Sequence, residues 1–93
     1  YLLNNAFILD QARSFATRLV HSSPDPTARI QTAYHSALGR AASDSELLRA
    51  RDLLREADSM LVSTLENESQ RETATWAAFC QALLVSNELR YID

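Results

Sequence analysis

One stretch of the chain, from Thr75 to Asn87, constrains the fold more than any other. Its sequence is Thr-Trp-Ala-Ala-Phe-Cys-Gln-Ala-Leu-Leu-Val-Ser-Asn, and on a helical wheel its apolar side chains point in almost every direction. A helix with one apolar stripe packs on one neighbour, whereas a helix that is apolar on nearly every side must be covered by several helices or by a partner. We therefore expect the rest of the chain to surround this segment.

The composition favours helices over strands along the whole chain. It is rich in Ala and Leu, with one Gly, two Pro and few β-branched residues among 93 positions. A chain of this length forms one domain that buries roughly two-thirds of its unfolded surface. We predict an all-α fold, a compact four-helix bundle-like domain over residues 1–93 with a largely buried C-terminal helix.

Periodicity and capping residues predict the first two helices. The first spans residues 5–21 and is capped by one of the asparagines at its start. The second spans residues 26–38, between Asp25 as N-cap and Gly39 as the left-handed residue that ends it. The predicted buried positions are Ile8, Ala12, Phe15, Ala16 and Leu19 in the first helix, and Ile30, Ala33, Tyr34, Ala37 and Leu38 in the second. On the second helix the predicted solvent-facing positions are Arg29, Thr32, His35 and Ser36.

The third helix is predicted over residues 44–61, after a capping box in which Ser43 and Glu46 satisfy N-terminal amides reciprocally. Residues 62–72 are mostly polar and predict a flexible connection, with an extension of the third helix through Leu65 and the glutamates as the alternative. The fourth helix is then expected over about residues 74–88, with the last residues as a tail. The predicted apolar arc of the third helix comprises Leu47, Ala50, Leu53, Leu54, Ala57, Met60 and Leu61, with Leu48 half exposed.

The charged residues argue against a nucleic-acid partner. The net charge is -3 at pH 7, which lacks a basic footprint and gives little attraction to anionic lipid. The second and third helices have the order of a helix-turn-helix motif, with Arg49, Arg51 and Arg55 on its recognition helix. Acidic residues interleave with these arginines at helical spacing and cancel the attraction to phosphate, namely Glu46, Asp52 and Glu56.

No pattern in the sequence predicts catalysis, a metal site or a cofactor. The single cysteine, Cys80, excludes an internal disulfide, a CxxCH haem attachment and a cysteine-based zinc site, and its apolar position predicts a buried, inert thiol. His21 and His35 lie on different helices without further ligands at metal spacing. No apolar run reaches the roughly 18 residues of a membrane span. We expect no catalytic residue, no cofactor and no membrane span.

A few residues are candidates for contacts with a partner. Trp76 and Phe79 are predicted core anchors, but aromatic residues are also common interface hot spots. Arg40 follows the turn glycine and is expected to clamp the carbonyls that end the second helix, or to reach Glu88 or the C-terminal carboxylate. Tyr91 completes this candidate set of interaction residues.

Three stretches resemble the C-terminal part of a planctomycete family of unknown function, found in large multidomain proteins that often carry cytochrome-c-like domains. Residues 4–7, Asn-Asn-Ala-Phe, are similar to the family's Asn-Asn-Pro-Phe, and residues 38–40 are similar to its Leu-Gly-Arg corner. Residues 76–88 resemble its closing signature. The chain departs from the family pattern at Ala6, at Ala41 and Ala42, where prolines are frequent, and at Leu89, where an aromatic residue is usual.

The resemblance implies a C-terminal helical module of a larger, exported or periplasmic bacterial protein, with haem chemistry in other domains and no catalytic residue in this one. The absence of an initiator Met at Tyr1 likewise favours a piece of a longer chain.

We thus predict a non-catalytic packing or protein-interaction module, with other domains of the parent chain or a separate protein as partner. The alternative is a regulatory or substrate-positioning lobe of an enzyme whose active site lies outside these residues. A pocket lined by Arg40, Glu88 and Tyr91 would favour this alternative. A third hypothesis is homo-oligomerisation through the uncovered side of the last helix, at Ala78, Ala82 and Val85.

Overall fold

A computed structural model describes the backbone of residues 6–92 and the side chains of residues 9–85. This part of the chain folds into four α-helices without a strand, which confirms the predicted all-α class. The helices are α1 (Ala6–Ser22), α2 (Pro26–Leu38), α3 (Asp44–Leu61) and α4 (Glu68–Ile92). None of them, within the described residues, combines the length and apolar character that crossing a membrane requires.

The last helix is the centre of the domain. α4 packs against all three other helices, most extensively against α1 and then α3. α1 and α3 make no direct backbone approach to each other within the described residues, so α4 joins them. The buried residues of α4 are Thr75, Trp76, Phe79, Cys80 and Leu83. The prediction of a late helix packed among three earlier ones is confirmed.

One side of α4 remains open to solvent. Ala82 is exposed, and Ala77 and Ala78 are only partly buried. Over residues 74–85 the helix is therefore covered on most sides rather than on all of them.

The local signals at the helix ends are confirmed. The Asp25 carboxylate accepts a hydrogen bond from the amide of Ala28 at 3.3 Å and caps α2. Gly39 has a φ of 72° and ends α2 in the left-handed conformation, which costs a residue without Cβ little. Both hydrogen bonds of the capping box between Ser43 and Glu46 are present at the start of α3.

The predicted boundaries of the fourth helix are wrong at both ends. α4 begins at Glu68, inside the segment predicted as a flexible connection, and continues through Ile92. The physical reason for the early start is an unrecognised cap, since the side-chain oxygen of Asn67 accepts from the amide of Gln70 at 3.1 Å. The connection after α3 is therefore restricted to residues 62–67.

The apolar arc predicted for α3 is too broad. Met60 is 76% exposed, so its assignment to the core is wrong, whereas the expected exposure of Leu48 is confirmed at 64%. Only Ala50 of this arc is fully buried. α3 touches mainly α4, and one neighbour covers only a narrow stripe of an amphipathic helix.

On α1 and α2 the described core positions agree with the prediction. Ala12, Phe15, Ala16 and Leu19 are buried on α1, as are Ile30, Ala33 and Tyr34 on α2. Ala37 and Leu38 are partly buried, and the side chain of Ile8 lies outside the described residues.

Candidate functional site

The two candidate aromatic residues of α4 belong to the core. Trp76 is 5% exposed and meets Phe79 edge-on, with ring centres 5.7 Å apart and an interplanar angle of 86°. Phe79 in turn lies 6.4 Å from the ring of Tyr34 on α2. Edge-to-face contact is a favoured geometry for such rings. The aromatic cluster therefore fixes α4 against α2 and leaves neither ring as a surface anchor.

Arg29 is buried, and the prediction that it faces solvent is wrong. Its guanidinium lies 5.2 Å from the centre of the Trp76 ring. It donates hydrogen bonds to the backbone carbonyls of Val20 and Ser23, at the end of α1, and to Glu72 on α4 at 3.0 Å. A charge can be buried when all its donors have partners and an aromatic face covers it.

The sequence contains a signal for this burial. Arg29 lies four residues before the buried Ala33 and therefore on the same face of α2. It also lies in the first turn of α2, close in the chain to the end of α1, where the last backbone carbonyls have no partner within their own helix. An Arg at such a position can donate hydrogen bonds to the carbonyls that end the preceding helix.

Arg40 forms a fork with a partner that was not predicted. Its two terminal nitrogens donate to the two carboxylate oxygens of Glu46 at 2.7 and 2.8 Å, and its guanidinium lies 5.8 Å from the centre of the Tyr34 ring. The carbonyls that end α2 are not its acceptors. The side chains of Glu88 and Tyr91 lie outside the described residues, so a pocket shared with them stays a prediction.

Glu46 has an unusually acidic carboxyl group as a result. The hydrogen bond from Arg40, followed by the one from the Ser43 amide, lowers the pKa of Glu46 from its ordinary value of 4.5 to about 2. The carboxylate is thus charged at neutral pH and holds the corner between α2 and α3. This arrangement stabilises a turn and has no proton to exchange near pH 7.

One depression in the described part of the chain is a polar cleft between the end of α3 and the start of α4. It has a volume of about 560 Å³ and is lined by Asp58, Glu68, Arg71, Glu72 and Thr75, among others. Two of its carboxylates already form ion pairs, Asp58 with Arg71 at 3.1 Å and Glu72 with Arg29 at 3.0 Å. These pairs connect α4 to α3 and α2, which is a structural use of the charges.

Another depression is a mostly apolar groove of about 550 Å³ between α1 and α4, and we call it the α1/α4 groove. Among the lining residues that the structure describes, the polar ones are mainly Ser, Thr and Gln, and Arg13 is the only charged one. Alanine side chains make the floor shallow, so another chain can come close to both helices. The apolar lining residues are Leu9, Ala12, Leu61, Ala74, Ala77 and Ala78.

One large apolar side chain that lines this groove is exposed to solvent, since Leu9 is 37% exposed. Met60 and Val62 are also exposed and flank the lining residue Leu61 in the chain, and Leu48 is exposed elsewhere on α3. Single exposed apolar side chains are common on protein surfaces, so the concave shape and apolar lining of the groove, rather than these residues, mark it as a candidate binding surface.

Cys80 and His21 are two described side chains of a potentially reactive type. Cys80 is buried, and burial raises the pKa of its thiol to about 12, so the nucleophilic thiolate is disfavoured. The imidazole of His21 contacts the carbonyl of Thr17 at 2.8 Å on the surface. Within the described residues, no group of three or more His, Cys, Asp or Glu side chains lies close enough to hold a metal ion.

The arginines of α3 are partly engaged with neighbours. Arg55 pairs with Asp52 at 3.4 Å, and Arg51 donates to the hydroxyl of Thr27 on α2 at 3.0 Å. Neither contact requires a partner molecule.

Fold and surface together define an all-α domain of four helices with an apolar groove and no recognisable catalytic centre in its described part. Comparison of the chain with protein-family models, with curated proteins and with solved structures gives no match. The resemblance to the planctomycete family therefore stays a prediction.

Proposed function

We propose that this domain is a non-catalytic protein-interaction module whose α1/α4 groove receives the apolar face of a helix from another domain or another protein. The groove carries the proposal, because about 550 Å³ of mostly apolar space is open between two helices. Pockets of this size bind a few large apolar side chains, with polar groups at the rim to orient them. The alanine floor at Ala74, Ala77 and Ala78 supports close approach of a second helix.

The walls of the groove favour a helix over an extended peptide as occupant. Both walls are α-helices, whose backbone groups are hydrogen-bonded within the helix except at its ends. An extended peptide between them would find no backbone partners, and each buried unpaired group costs about 1–3 kcal/mol. A helix carries its own backbone hydrogen bonds, so only its side chains have to match the groove.

The length of the groove fits a short helix. Its lining on α4 runs from Ser69 to Gln81, which at about 1.5 Å per residue corresponds to roughly three turns. We expect the occupant to present apolar side chains at positions i, i+3 or i+4, and i+7. A multidomain parent chain, as the family resemblance implies, would be one source of such a helix.

Titration of the isotope-labelled domain with a designed helical peptide, followed by nuclear magnetic resonance, tests the proposal. The peptide is about 14 residues long and carries leucines at this spacing, with an uncharged glutamine beside the leucine row. Binding is expected to shift the amide resonances of Ala74, Ala77 and Ala78, together with those of Ala12 and Arg13 across the groove.

Two matched substitutions on α4 provide the control. Ala78→Gln fills the groove and is expected to weaken binding about tenfold or more, whereas Ala82→Gln, on the exposed side outside the groove, leaves affinity unchanged. Thermal unfolding followed by circular dichroism verifies that both variants fold. If the peptide does not bind, or binds both variants alike, the groove is not an interaction site.

A further inference from the structure

The α1/α4 groove contains one charged side chain without an ion pair to a described carboxylate. Arg13 lies on α1 and is the only charged residue among the described lining residues. Its side chain is exposed, and no described carboxylate forms an ion pair with it. Four of the eight described arginines form an ion pair with a described acidic residue, namely Arg29, Arg40, Arg55 and Arg71. Of the other four, Arg13, Arg18, Arg49 and Arg51, only Arg13 lines the groove.

We infer that the groove selects an acidic amphipathic helix, in which a carboxylate stands beside the apolar row and pairs with Arg13. This inference rests on the interaction function proposed above and specifies the chemistry of the partner. The guanidinium offers a planar set of donors that a carboxylate binds with two parallel hydrogen bonds.

The position of Arg13 suits this role. It is four residues after Leu9, so both side chains lie on the same face of α1, and it directly follows Ala12 in the floor. When a partner helix places an apolar side chain over Ala12, the residue beside its apolar row comes close to the guanidinium of Arg13. The other described polar residues of the lining are uncharged, so Arg13 is the charge that a partner helix meets within the groove.

The net charge of the chain acts in the opposite direction. At -3 it repels an acidic partner at long range and attracts a basic one. If the domain prefers an acidic peptide, the preference must therefore come from the local ion pair with Arg13 and not from the net charge of the whole domain.

The test uses three peptides that differ only at the position beside the leucine row, which is Glu, Gln or Lys. The wild-type domain is expected to bind the Glu peptide about three- to tenfold more tightly than the Gln peptide, and the Lys peptide least. Arg13→Glu is expected to reverse this order. Arg49→Glu, an exposed change on α3 outside the groove, alters the net charge equally and should preserve it.

Each other outcome is decisive. Equal affinity of the wild type for all three peptides, with resonance shifts still confined to the groove, overturns the acidic preference and leaves the interaction function intact. Failure of every peptide to perturb the groove overturns both. A concentration-dependent sedimentation profile that Ala78→Gln abolishes would identify a second copy of the chain as occupant and would also overturn the acidic preference. A difference between peptides that survives an increase of salt from about 0.05 to about 0.5 M contradicts an exposed ion pair.

Discussion

The guanidinium of Arg29 lies 5.2 Å from the centre of the Trp76 ring and thereby joins α2 to α4. The same group donates to the carbonyls of Val20 and Ser23, so it also holds the end of α1. One buried cation thus connects three of the four helices. Its bond to Glu72 holds the start of α4 to α2, next to the ion pair of Arg71 with Asp58 that holds the same turn to α3.

We predict that Arg29→Lys lowers the free energy of unfolding by about 2–3 kcal/mol, because one ammonium group cannot reach both carbonyls, Glu72 and the Trp76 ring at once. Glu72→Gln should cost less than about 1 kcal/mol, since the Glu72 side chain is 46% exposed and its pair is partly screened. Urea denaturation, followed by circular dichroism and by the fluorescence of the only Trp, measures both losses. If both variants lose the same stability, the ion pair with Glu72 accounts for the whole contribution of Arg29, and the prediction is wrong.

A second prediction compares two large apolar side chains that differ in burial. Trp76→Ala should destabilise the domain by about 3–5 kcal/mol, because the ring is removed from a close-packed cluster and leaves a cavity. Leu48→Ala should change stability by less than about 0.5 kcal/mol, because Leu48 is 64% exposed. The same denaturation experiment measures both. A small loss for Trp76→Ala would mean that the ring contributes to a partner interface instead of the core.

Much of the fold was predictable because its signals are local. The caps at Asp25 and Ser43 and the glycine at position 39 each depend on a few neighbouring residues, and they set the ends of α2 and the start of α3 correctly. The start of α4 was missed although the same kind of signal is present. Asn67, with Gln70 three residues later, is a cap that the polar composition of the segment concealed.

The site was less predictable, because it depends on which helices become neighbours. A helical wheel shows that Ala77 and Ala78 are apolar, but only the packing of α1 beside α4 decides whether they are covered or line a groove. The prediction that Met60 is buried was wrong for the same reason, because no other helix covers the part of α3 on which Met60 lies. Arg29 shows the converse, because a charge is buried only where acceptors from other helices converge.

A third prediction concerns acid stability. The pKa of Glu46 is about 2 in the folded domain, below its ordinary value of 4.5, because of the hydrogen bonds from Arg40 and Ser43. A carboxyl that is more acidic in the folded state stabilises the fold above its unfolded pKa, and this contribution disappears as the pH falls from about 4.5 to about 2. Thermal midpoints across this window should therefore fall more steeply for the wild type than for Glu46→Gln. Parallel curves for the two proteins would show that the fork with Arg40 contributes nothing in solution.

The last prediction uses the one buried side-chain oxygen or nitrogen that has no hydrogen-bond partner in the described part of the chain, Oγ1 of Thr75. A buried unpaired hydroxyl costs about 1–3 kcal/mol, and valine keeps the shape of the side chain while removing this group. Thr75→Val should therefore leave stability unchanged or raise it by up to about 1 kcal/mol, because valine and threonine have about the same helix propensity.

Thr73 on the same helix provides the matched control, because its hydroxyl donates to the carbonyl of Ser69 at 3.1 Å. Thr73→Val should destabilise the domain slightly, by less than about 1 kcal/mol, because it removes a hydrogen bond that is made at the surface. Thermal unfolding of both variants gives the comparison directly. A larger loss for Thr75→Val than for Thr73→Val would mean that the buried hydroxyl is paired in solution, in which case it stabilises the contact of α4 with its neighbours.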